Sequence, residues 1–563
     1  MDRVDSRAAS EPSGFTDALV VGAGPVGLTM AAELARHGVS CRIVDRNRAR
    51  SEHSKALVLW SRSLEVLDDM GGVEAFVSAG IRVRSVGLYG DGRRLAQLKL
   101  DGIDSRYDYA LMMPQSESER LLEDHLHAFG GRVEREVELT GFTLDRDGVS
   151  ATLTRGGKNE SLRCAWLIGC DGAHSTVRHV LGTPFSGAPE PNDWVLADLR
   201  VRGALAADEV SIFFHELGIL AFFPISRDRF RVIADVGPAA SADHPKDPTL
   251  GEVQALVGAR GPSGLELHDP VWLAGFRIHE RKVADYRQGR VFLAGDAAHI
   301  HSPAGGQGMN TGMQDAYNLA WKLGLVVAGR SSDPSLLLDS YSQERSAVGA
   351  MVLRQAGLLT RVATLRSSLA QQLRNRVYSL LGSLGIVQHQ LGSALAELSV
   401  NYRGSALSGE SVGAQRIARL SGAVVPGDRA PDGPLVDLGP GATLRLLDLL
   451  RGTRHVLLLF RGNAAAGDAG DWLARLGEAV HARYPDMVSV AFVDPAGDLP
   501  APPAGTGPWR ILHDPHGELH RRYGATRPTA YLIRPDGYVG HSGQPASWDG
   551  LRAHLDRYLR PAA

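Results

Sequence analysis

The stretch Ala18-Leu-Val-Val-Gly22-Ala-Gly24-Pro-Val-Gly27, with Cys41-Arg-Ile-Val-Asp45 after it, decides the fold of the N-terminal part of this chain. An apolar run leads into glycines spaced Gly-x-Gly-x-x-Gly, and a helical pattern follows. Such glycines allow a tight turn, close approach of backbone to a pyrophosphate and close helix packing. Because a helix N-terminus favours an anion and Asp45 can accept ribose hydroxyls, the pattern predicts a βαβ unit that binds a dinucleotide. The motif alone does not separate NAD from FAD.

Length, charge and cysteine content set the broad class. At about 150 residues per domain, 563 residues predict three to four domains. A net charge of −2 gives no electrostatic reason to expect nucleic acid or a membrane as partner. Three cysteines make neither a disulfide framework nor a cysteine-rich metal site, which fits the reducing cytoplasm.

The polar N-terminus and one uncharged stretch both bear on localisation. Residues 1–15 lack the apolar region of a signal peptide. Residues 377–396 contain no charged side chain. Because Ser, Gly, Gln and His interrupt the apolar residues, this stretch predicts an amphipathic helix rather than a membrane span. The sequence therefore predicts a cytoplasmic protein.

The pattern of elements divides the chain into an α/β cofactor domain, an inserted sheet domain and a C-terminal domain. Short apolar runs separated by turn residues predict an antiparallel sheet in the middle of the chain. A Gly/Pro-rich stretch at 426–441 precedes a new strand and helix order. The predicted segments are 1–185 (first part of the cofactor domain), 186–275 (substrate-binding sheet), 276–410 (second part, with helices) and 411–563.

Two further motifs accompany the first one. Asp171-Gly172 lies in Ile168-Gly-Cys-Asp-Gly-Ala-His-Ser-Thr-Val-Arg178. Gly295-Asp296-Ala-Ala-His299 precedes Ser302-Pro303-Ala-Gly-Gly-Gln-Gly-Met-Asn310. Apolar residues at helical spacing from Met309 onward predict a helix that starts just after Gly308. His299 and His301 flank this loop without a carboxylate cluster at metal spacing, so no metal site is expected.

These motifs, in this order, resemble the single-component flavin-dependent aromatic hydroxylases, the family of p-hydroxybenzoate hydroxylase and phenol hydroxylase. The resemblance implies that Asp296 binds the flavin ribityl chain and that Asp171-Gly172 serves flavin and nicotinamide cofactors. It also implies that the helix after Gly308 faces the flavin N1–C2=O edge. Lys55-Ala56, Arg62-Ser-Leu-Glu65 and Gln115 match smaller family segments, with Lys55 in place of an Arg. The implied cofactor residues are Gly22, Gly24, Pro25, Val26, Gly27, Asp45, Arg46, Lys55, Ala56, Gln115, Val137, Asp171, Asp296, Pro303, Gly306, Gly308, Met309 and Asn310.

The C-terminal segment resembles the thioredoxin-like domain of the phenol hydroxylase branch. Thr526-Arg-Pro528-Thr529 stands where thioredoxin folds place a cis-proline. No cysteine follows Cys170, so thiol–disulfide chemistry is excluded there, and a scaffold or dimerisation role is expected. A homodimer is one assembly compatible with this.

The function that the resemblance implies is an FAD-dependent, NAD(P)H- and O2-consuming monooxygenase. It would hydroxylate a phenolic or polyketide-type ring through a flavin C4a-hydroperoxide, with NADPH or NADH as a transient donor, since a second dinucleotide motif is missing. The expected substrate pocket comprises Leu57, His215, Leu220, Phe222, Pro303 and Ala304. His215 is the one titratable candidate on these strands for a catalytic base, which the sequence otherwise does not identify.

Other functions stay open. The same scaffold could support Baeyer–Villiger oxygen insertion or the inactivation of an antibiotic. A flavin-binding regulator without turnover is a different class. A flavin halogenase is disfavoured because the sequence contains no Trp-x-Trp pair.

Overall fold

The computed structural model describes residues 14–51, 54–239, 245–382, 384–410, 422–462, 466–497 and 509–562. The strands are β1 (Phe15–Val21), β2 (Cys41–Asp45), β3 (Val58–Leu59), β4 (Ile81–Val83), β5 (Ser85–Gly90), β6 (Arg93–Lys99), β7 (Ala110–Met112), β8 (Val133–Arg135), β9 (Glu138–Leu144), β10 (Val149–Arg155), β11 (Lys158–Gly169), β12 (Ser186–Arg202), β13 (Glu209–His215), β14 (Gly218–Pro224), β15 (Arg229–Pro238), β16 (Glu266–Lys282), β17 (Arg287–Gln288), β18 (Val291–Leu293), β19 (His299–Ile300), β20 (Gly409–Glu410), β21 (Pro434–Asp437), β22 (Thr443–Arg445), β23 (His455–Phe460), β24 (Val488–Asp494), β25 (Arg510–His513), β26 (Thr529–Ile533) and β27 (Val539–Gly543).

The helices are α1 (Pro25–Arg36), α2 (Ser61–Asp69), α3 (Val73–Ala79), α4 (Gln115–Ala128), α5 (Thr176–Val180), α6 (Leu250–Arg260), α7 (Gly308–Val327), α8 (Pro334–Ala363), α9 (Ser368–Leu381), α10 (Gly385–Leu395), α11 (Leu446–Leu450), α12 (Ala466–Arg483), α13 (Glu518–Arg522) and α14 (Trp548–Leu555). A 3-10 turn spans Gly295–Ala297.

The first sheet contains the predicted βαβ unit. Its order is β17-β18-β11-β1-β2-β8, with β10 and β9 attached to β11 as an antiparallel extension. β1 lies between β11 and β2 and is parallel to both, and Ala18, Leu19 and Val20 are fully buried. A strand buried on both faces reads as a continuous apolar run, which is the pattern of this stretch. The carboxyl end of β1 therefore delivers the glycine turn to one edge of the sheet.

The second sheet is larger than the predicted segment 186–275. Its order is β19-β16-β12-β15-β14-β13-β5-β6, and β16 extends to Lys282. β5 and β6 come from residues 85–99 and join because β5 pairs in parallel with β13. This pairing joins segments far apart in the chain, so local sequence pattern did not reveal it.

The third sheet runs in the order β20-β27-β26-β23-β24-β25-β21-β22. Its strands from β23 onward, with α12, α13 and α14 between and after them, follow the predicted order of elements. β20 lies before the predicted boundary at 411, so the sheet begins earlier than expected. The cis-proline prediction at Pro528 is wrong. In the described residues the cis peptide bond is Gln544–Pro545.

The region around the uncharged stretch forms two helices rather than one. α9 ends at Leu381 and α10 begins at Gly385, so residues 377–396 span the end of one helix and all of the next. Among the described helices, none combines the length and the apolar character that crossing a membrane would need.

Helices α7 and α8 connect the third sheet to the rest of the protein. Trp321 and Leu337 from these helices share one apolar core with strand residues such as Leu457. Beside this core, Arg534 Nη1 donates to Glu344 Oε1 at 2.6 Å and Lys322 Nζ donates to Glu344 Oε2 at 2.8 Å. All three side chains are fully buried. Ion pairs as well as apolar packing therefore hold the third sheet against α7 and α8.

Candidate functional site

The glycine turn after β1 is built by steric exclusion. Gly22 has a φ of +99°, and a Cβ there would lie 2.5 Å from the carbonyl oxygen of Cys170. A Cβ on Gly27 would lie 1.8 Å from the carbonyl oxygen of Gly22. Only glycine fits at either position. α1 then begins at Pro25 without a side-chain cap, so its first backbone N–H groups face the turn and can bind an anion.

Asp45 is held at the end of β2 by two backbone donors. Its Oδ2 accepts from Ala23 N at 2.7 Å, and its Oδ1 accepts from Asn47 N at 2.8 Å. These bonds fix the carboxylate beside the glycine turn. Each carboxylate oxygen has further lone pairs, which leaves it able to accept from the hydroxyls of a ribose.

The segment around Lys55 is anchored by a buried arginine from the second sheet. Arg231 Nη1 donates to Lys55 O at 3.0 Å, and Nη2 donates to Ser54 O. Its Nε and Nη2 also donate to the two carboxylate oxygens of Asp198, both at 2.8 Å. Only 2% of Arg231 is exposed, so the pair is desolvated and geometrically fixed. The loop that carries Ser54 and Lys55 is therefore attached to the second sheet as well as to the cofactor domain.

Gln115 holds the same loop from the opposite side. Its Oε1 accepts from Ala56 N at 3.1 Å, and its Nε2 donates to Glu119 Oε1 at 2.8 Å. Both groups of the Gln115 amide thus have protein partners. The side chain lies in the cavity wall and determines the path of the backbone at Ala56.

Asp315 on α7 binds the first residues of the loop from Gly295 to Gly308. Asp315 Oδ2 accepts from Gly295 N at 3.0 Å and pairs with His299 Nε2 at 2.8 Å, while Oδ1 accepts from Arg345 Nε at 2.6 Å. Although burial opposes it, Arg345 and His299 lower the pKa of Asp315 below its usual value. A buried ionised carboxylate thus holds Gly295, where the 3-10 turn that carries Asp296 begins, and His299, two residues after the turn ends.

Two acidic side chains face the cavity that these elements enclose. Asp296 is open to the cavity but otherwise surrounded by protein; burial raises its pKa, and His299 and Lys55 oppose the rise. Burial also raises the pKa of Asp171, whose Oδ2 accepts from Val177 N at 3.1 Å. Among the described residues, the buried Asp171 Oδ1 has no hydrogen-bond partner. Both carboxylates are suited to accept hydroxyl or N–H donors from a bound molecule.

These parts surround one cavity of about 560 Å³. Its wall is formed by the first sheet and by the face of the second sheet that carries Phe223, Arg231 and Ile233. The sequence-derived residues in its wall are Gly22, Gly24, Pro25, Val26, Asp45, Arg46, Lys55, Ala56, Leu57, Gln115, Val137, Asp171, Asp296, Pro303, Gly306, Gly308 and Met309.

Three predicted residues near the loops lie outside this wall. Gly27 packs against the turn as described above. Asn310 is fully buried: its Oδ1 accepts from Trp60 N at 2.8 Å, and its Nδ2 donates to Val58 O at 2.9 Å. Its amide thus joins α7 to the segment beside β3 and does not face the cavity. Ala304 also does not contribute to the cavity wall.

The substrate-pocket predictions on β13 and β14 need correction. Leu220 and Phe222 are buried on the opposite face of the second sheet, in a core with Val253 and Val257 of α6. His215 lines a separate cavity of about 720 Å³ with Tyr89 and other residues. The reason is strand parity, since neighbouring residues on a strand face opposite sides.

The residues that the sequence did not reveal share the cavity-facing side of the second sheet. Phe223 pairs with Arg231 across β14 and β15, and Ile233 follows two positions later on the same face. His301 lies in the wall between the 3-10 turn and α7. The alternation of residues on β14 and β15 was visible in the sequence, but which side faces the cofactor was not.

The cavity fits a flavin nucleotide better than a metal ion. Two helix N-termini, those of α1 and α7, begin without side-chain caps at its wall, which suits phosphates and an anionic ring edge. Asp171 Oδ1 offers an acceptor without a donor. In the described ranges no group of three or more His, Cys, Asp or Glu side chains could hold a metal.

Comparison with known proteins gives a consistent result. Residues 15–356 match the family model described as FAD binding domain, and residues 423–562 match that described as aromatic-ring hydroxylase, C-terminal. The 6-methylpretetramide 4-monooxygenase of Streptomyces rimosus is 34% identical over 95% of this chain and 92% of its own length.

Solved structures show the same similarity over the whole chain. The anhydrotetracycline hydroxylase OxyS from Streptomyces rimosus is 30% identical, with a TM-score of 0.75 over 98% of this chain and all of its own. Aklavinone-11 hydroxylase, solved with FAD and aklavinone, is 26% identical, with a TM-score of 0.76 over 98% of this chain and 99% of its own. The cavity geometry, the two family models and the similarity along nearly the full length agree, and the chain belongs to the family of FAD-dependent aromatic-ring monooxygenases.

Proposed function

We propose that the cavity binds FAD through the three motifs that meet in its wall. In this proposal the glycine turn and the N-terminus of α1 bind the pyrophosphate, and Asp45 accepts from the adenosine ribose. Asp296 accepts from the ribityl chain, and Asp171 Oδ1 accepts a further donor. The observation that carries the proposal is that segments far apart in the chain line one cavity with uncapped helix ends and with Asp171 Oδ1, a carboxylate oxygen without a partner among the described residues.

We further propose that NADPH or NADH supplies the electrons and O2 the transferred oxygen atom. The bound flavin supplies the redox chemistry; the chain itself orients the substrate and excludes water. Leu57, Phe223, Ile233 and Pro303 contribute apolar wall on the side of the second sheet, which suits an aromatic ring. This apolar side is the proposed substrate position.

The proposed substrate is a polycyclic phenolic compound of polyketide type. The names of two relatives give 6-methylpretetramide and anhydrotetracycline as the compounds on which they act, and a third was solved with FAD and aklavinone. The apolar wall formed by Leu57, Phe223, Ile233 and Pro303 supports a large hydrophobic ring system over a small, highly polar one.

For residues 411–563 we propose a thioredoxin-like fold without redox function. In its described part, α12 connects the parallel strands β23 and β24, and β26 and β27 form an antiparallel hairpin, an arrangement that agrees with a thioredoxin fold. No cysteine occurs there. We propose a structural role for it, a cytoplasmic location for the protein, and a homodimer as one assembly to test by light scattering.

The test is a panel of anhydrotetracycline, aklavinone and simple phenols, scored for stimulated NAD(P)H oxidation and for product mass under ¹⁸O2. We expect a polycyclic phenol to stimulate oxidation and to gain one labelled oxygen. A product whose NMR spectrum shows a new lactone would favour Baeyer–Villiger insertion. FAD retention without stimulation by any panel member would favour the regulator alternative and contradict the proposal.

A substrate-dependent reduction step gives a second test. We expect the right substrate to speed anaerobic flavin reduction at least tenfold, about 1.4 kcal/mol in the barrier. Lys55→Ala is expected to slow reduction more than oxygen transfer, because Lys55 lies in the cavity wall beside the proposed cofactor phosphates. Equal rates of flavin reduction with and without substrate would refute the proposal that substrate binding controls reduction.

A further inference from the structure

His301 lies at the point where the cofactor cavity meets the start of α7. A Cβ placed on Gly308, the first residue of α7, would lie 3.5 Å from both Cε1 and Nε2 of His301. The ring is parallel to that of His299, with centroids 6.3 Å apart and an angle of 8° between the planes. The position of this imidazole is therefore defined by the helix end on one side and by His299 on the other.

The hydrogen bonds of His301 determine which nitrogen carries its proton. Nδ1 lies 2.9 Å from Ser302 O, and a carbonyl oxygen can only accept, so Nδ1 donates. In the neutral ring Nε2 then has a bare lone pair. Nε2 is buried and has no hydrogen-bond partner in the described structure. Leaving such an acceptor unpaired is unfavourable, and a donor from a bound molecule would remove this cost.

The charges around His301 keep it neutral before a ligand binds. Burial and the neighbouring His299 lower the pKa of His301 to about 4, while Asp315 opposes the shift. Lys55 and Asp296 lie in the same cavity wall. On β16, Arg281 and Lys282 pair with Ile300 and His299, immediately before His301. The N-terminus of α7 adds partial positive charge. An anion bound beside His301 would raise the pKa of its imidazole and favour the protonated ring.

We propose that His301 is the proton acceptor of the cofactor cavity, and that Nε2 takes up a proton when the bound flavin becomes anionic on reduction. The inference rests on the proposed FAD site. Hydride transfer from the nicotinamide supplies two electrons and one proton to the flavin, and the second proton comes from solvent and forms the Nε2–H bond. The protonated His301 thereby neutralises the charge created by reduction.

The test is the midpoint potential of the FAD-loaded protein between pH 6 and 8. A two-electron couple changes by about 30 mV per pH unit for each proton taken up. We expect about 60 mV per pH unit in the wild type, for two protons, and about 30 mV in His301→Gln, which keeps a polar side chain but cannot titrate here. His215→Gln, in the separate cavity, is the matched control and should retain the wild-type slope.

Two results would overturn the inference: a wild-type slope of about 30 mV per pH unit, or the same slope in the wild type and His301→Gln. His301→Asn provides a second non-titrating variant if the glutamine variant loses its cofactor, and the wild-type slope decides the proton count without either. Failure of the proposed function would instead appear as lost flavin binding or absent substrate-stimulated NAD(P)H oxidation, whatever the slope.

Discussion

The anchoring of the Lys55 loop by Arg231 makes a prediction that separates stability from cofactor binding. In Arg231→Met, Asp198 is left in the second sheet with 7% exposure and without its cation. Breaking a buried pair from one side costs about 3–5 kcal/mol. We expect the free energy of urea unfolding of the apoprotein to fall by about this amount.

The double variant Arg231→Met/Asp198→Met should recover most of that loss, because no uncompensated charge remains buried. Cofactor affinity should not recover. Both variants lose the donors to the carbonyl oxygens of Lys55 and Ser54, so the loop is no longer attached to the sheet. We expect the Kd for FAD, measured by flavin fluorescence, to rise about ten- to a hundredfold in both variants, or about 1.4–2.7 kcal/mol.

Arg229→Met is the matched control on the same strand. Arg229 Nη2 lies 2.6 Å from Asp269 Oδ2, but the Asp269 side chain is 55% exposed. Such pairs contribute about 0–1 kcal/mol, so neither stability nor FAD affinity should change much. The reasoning is refuted if the double variant is no more stable than Arg231→Met, or if Arg231→Met binds FAD as the wild type does.

The remaining predictions concern the ribityl contact, one buried acid and the C-terminal part. Asp296→Ala should weaken FAD binding about ten- to a hundredfold through loss of a charge-assisted contact of about 1.5–3 kcal/mol; an unchanged Kd would contradict the assigned role. Burial raises the pKa of Glu397 to about 7, so its contribution to stability is complete below pH 4.5 and is lost as pH rises to about 7. Relative to Glu397→Gln, the wild type should therefore lose on the order of 3 kcal/mol of unfolding free energy across that window, and a constant difference would refute it. Arg534→Met should destabilise by about 3–5 kcal/mol, because Glu344 loses a buried partner, yet leave the flavin potential unchanged. An isolated 410–563 fragment should show no dithiol-dependent reductase activity, and detectable activity would contradict the structural role proposed for it.

The sequence by itself determined the features that depend on neighbouring residues. Gly27 and Asp45 act within one βαβ unit, where steric exclusion by the Gly22 carbonyl oxygen and the end of β2 place them without help from the rest of the chain. The strand and helix order from β23 to α14 could be predicted for the same reason. Apolar periodicity and turn residues express local backbone preferences, and these survive in the fold.

Only the tertiary structure decided which side chains face the cofactor cavity. Period-two alternation defines two faces of β14 but does not say which one is covered by α6, so Phe223 faces the cavity and Phe222 does not. Asn310 turns toward Trp60 and Val58, and Arg231 reaches the Lys55 loop from a distant strand. Each of these contacts joins segments whose relative position is set by sheet register and domain packing. Those are properties of the whole fold, and no local pattern of residues encodes them.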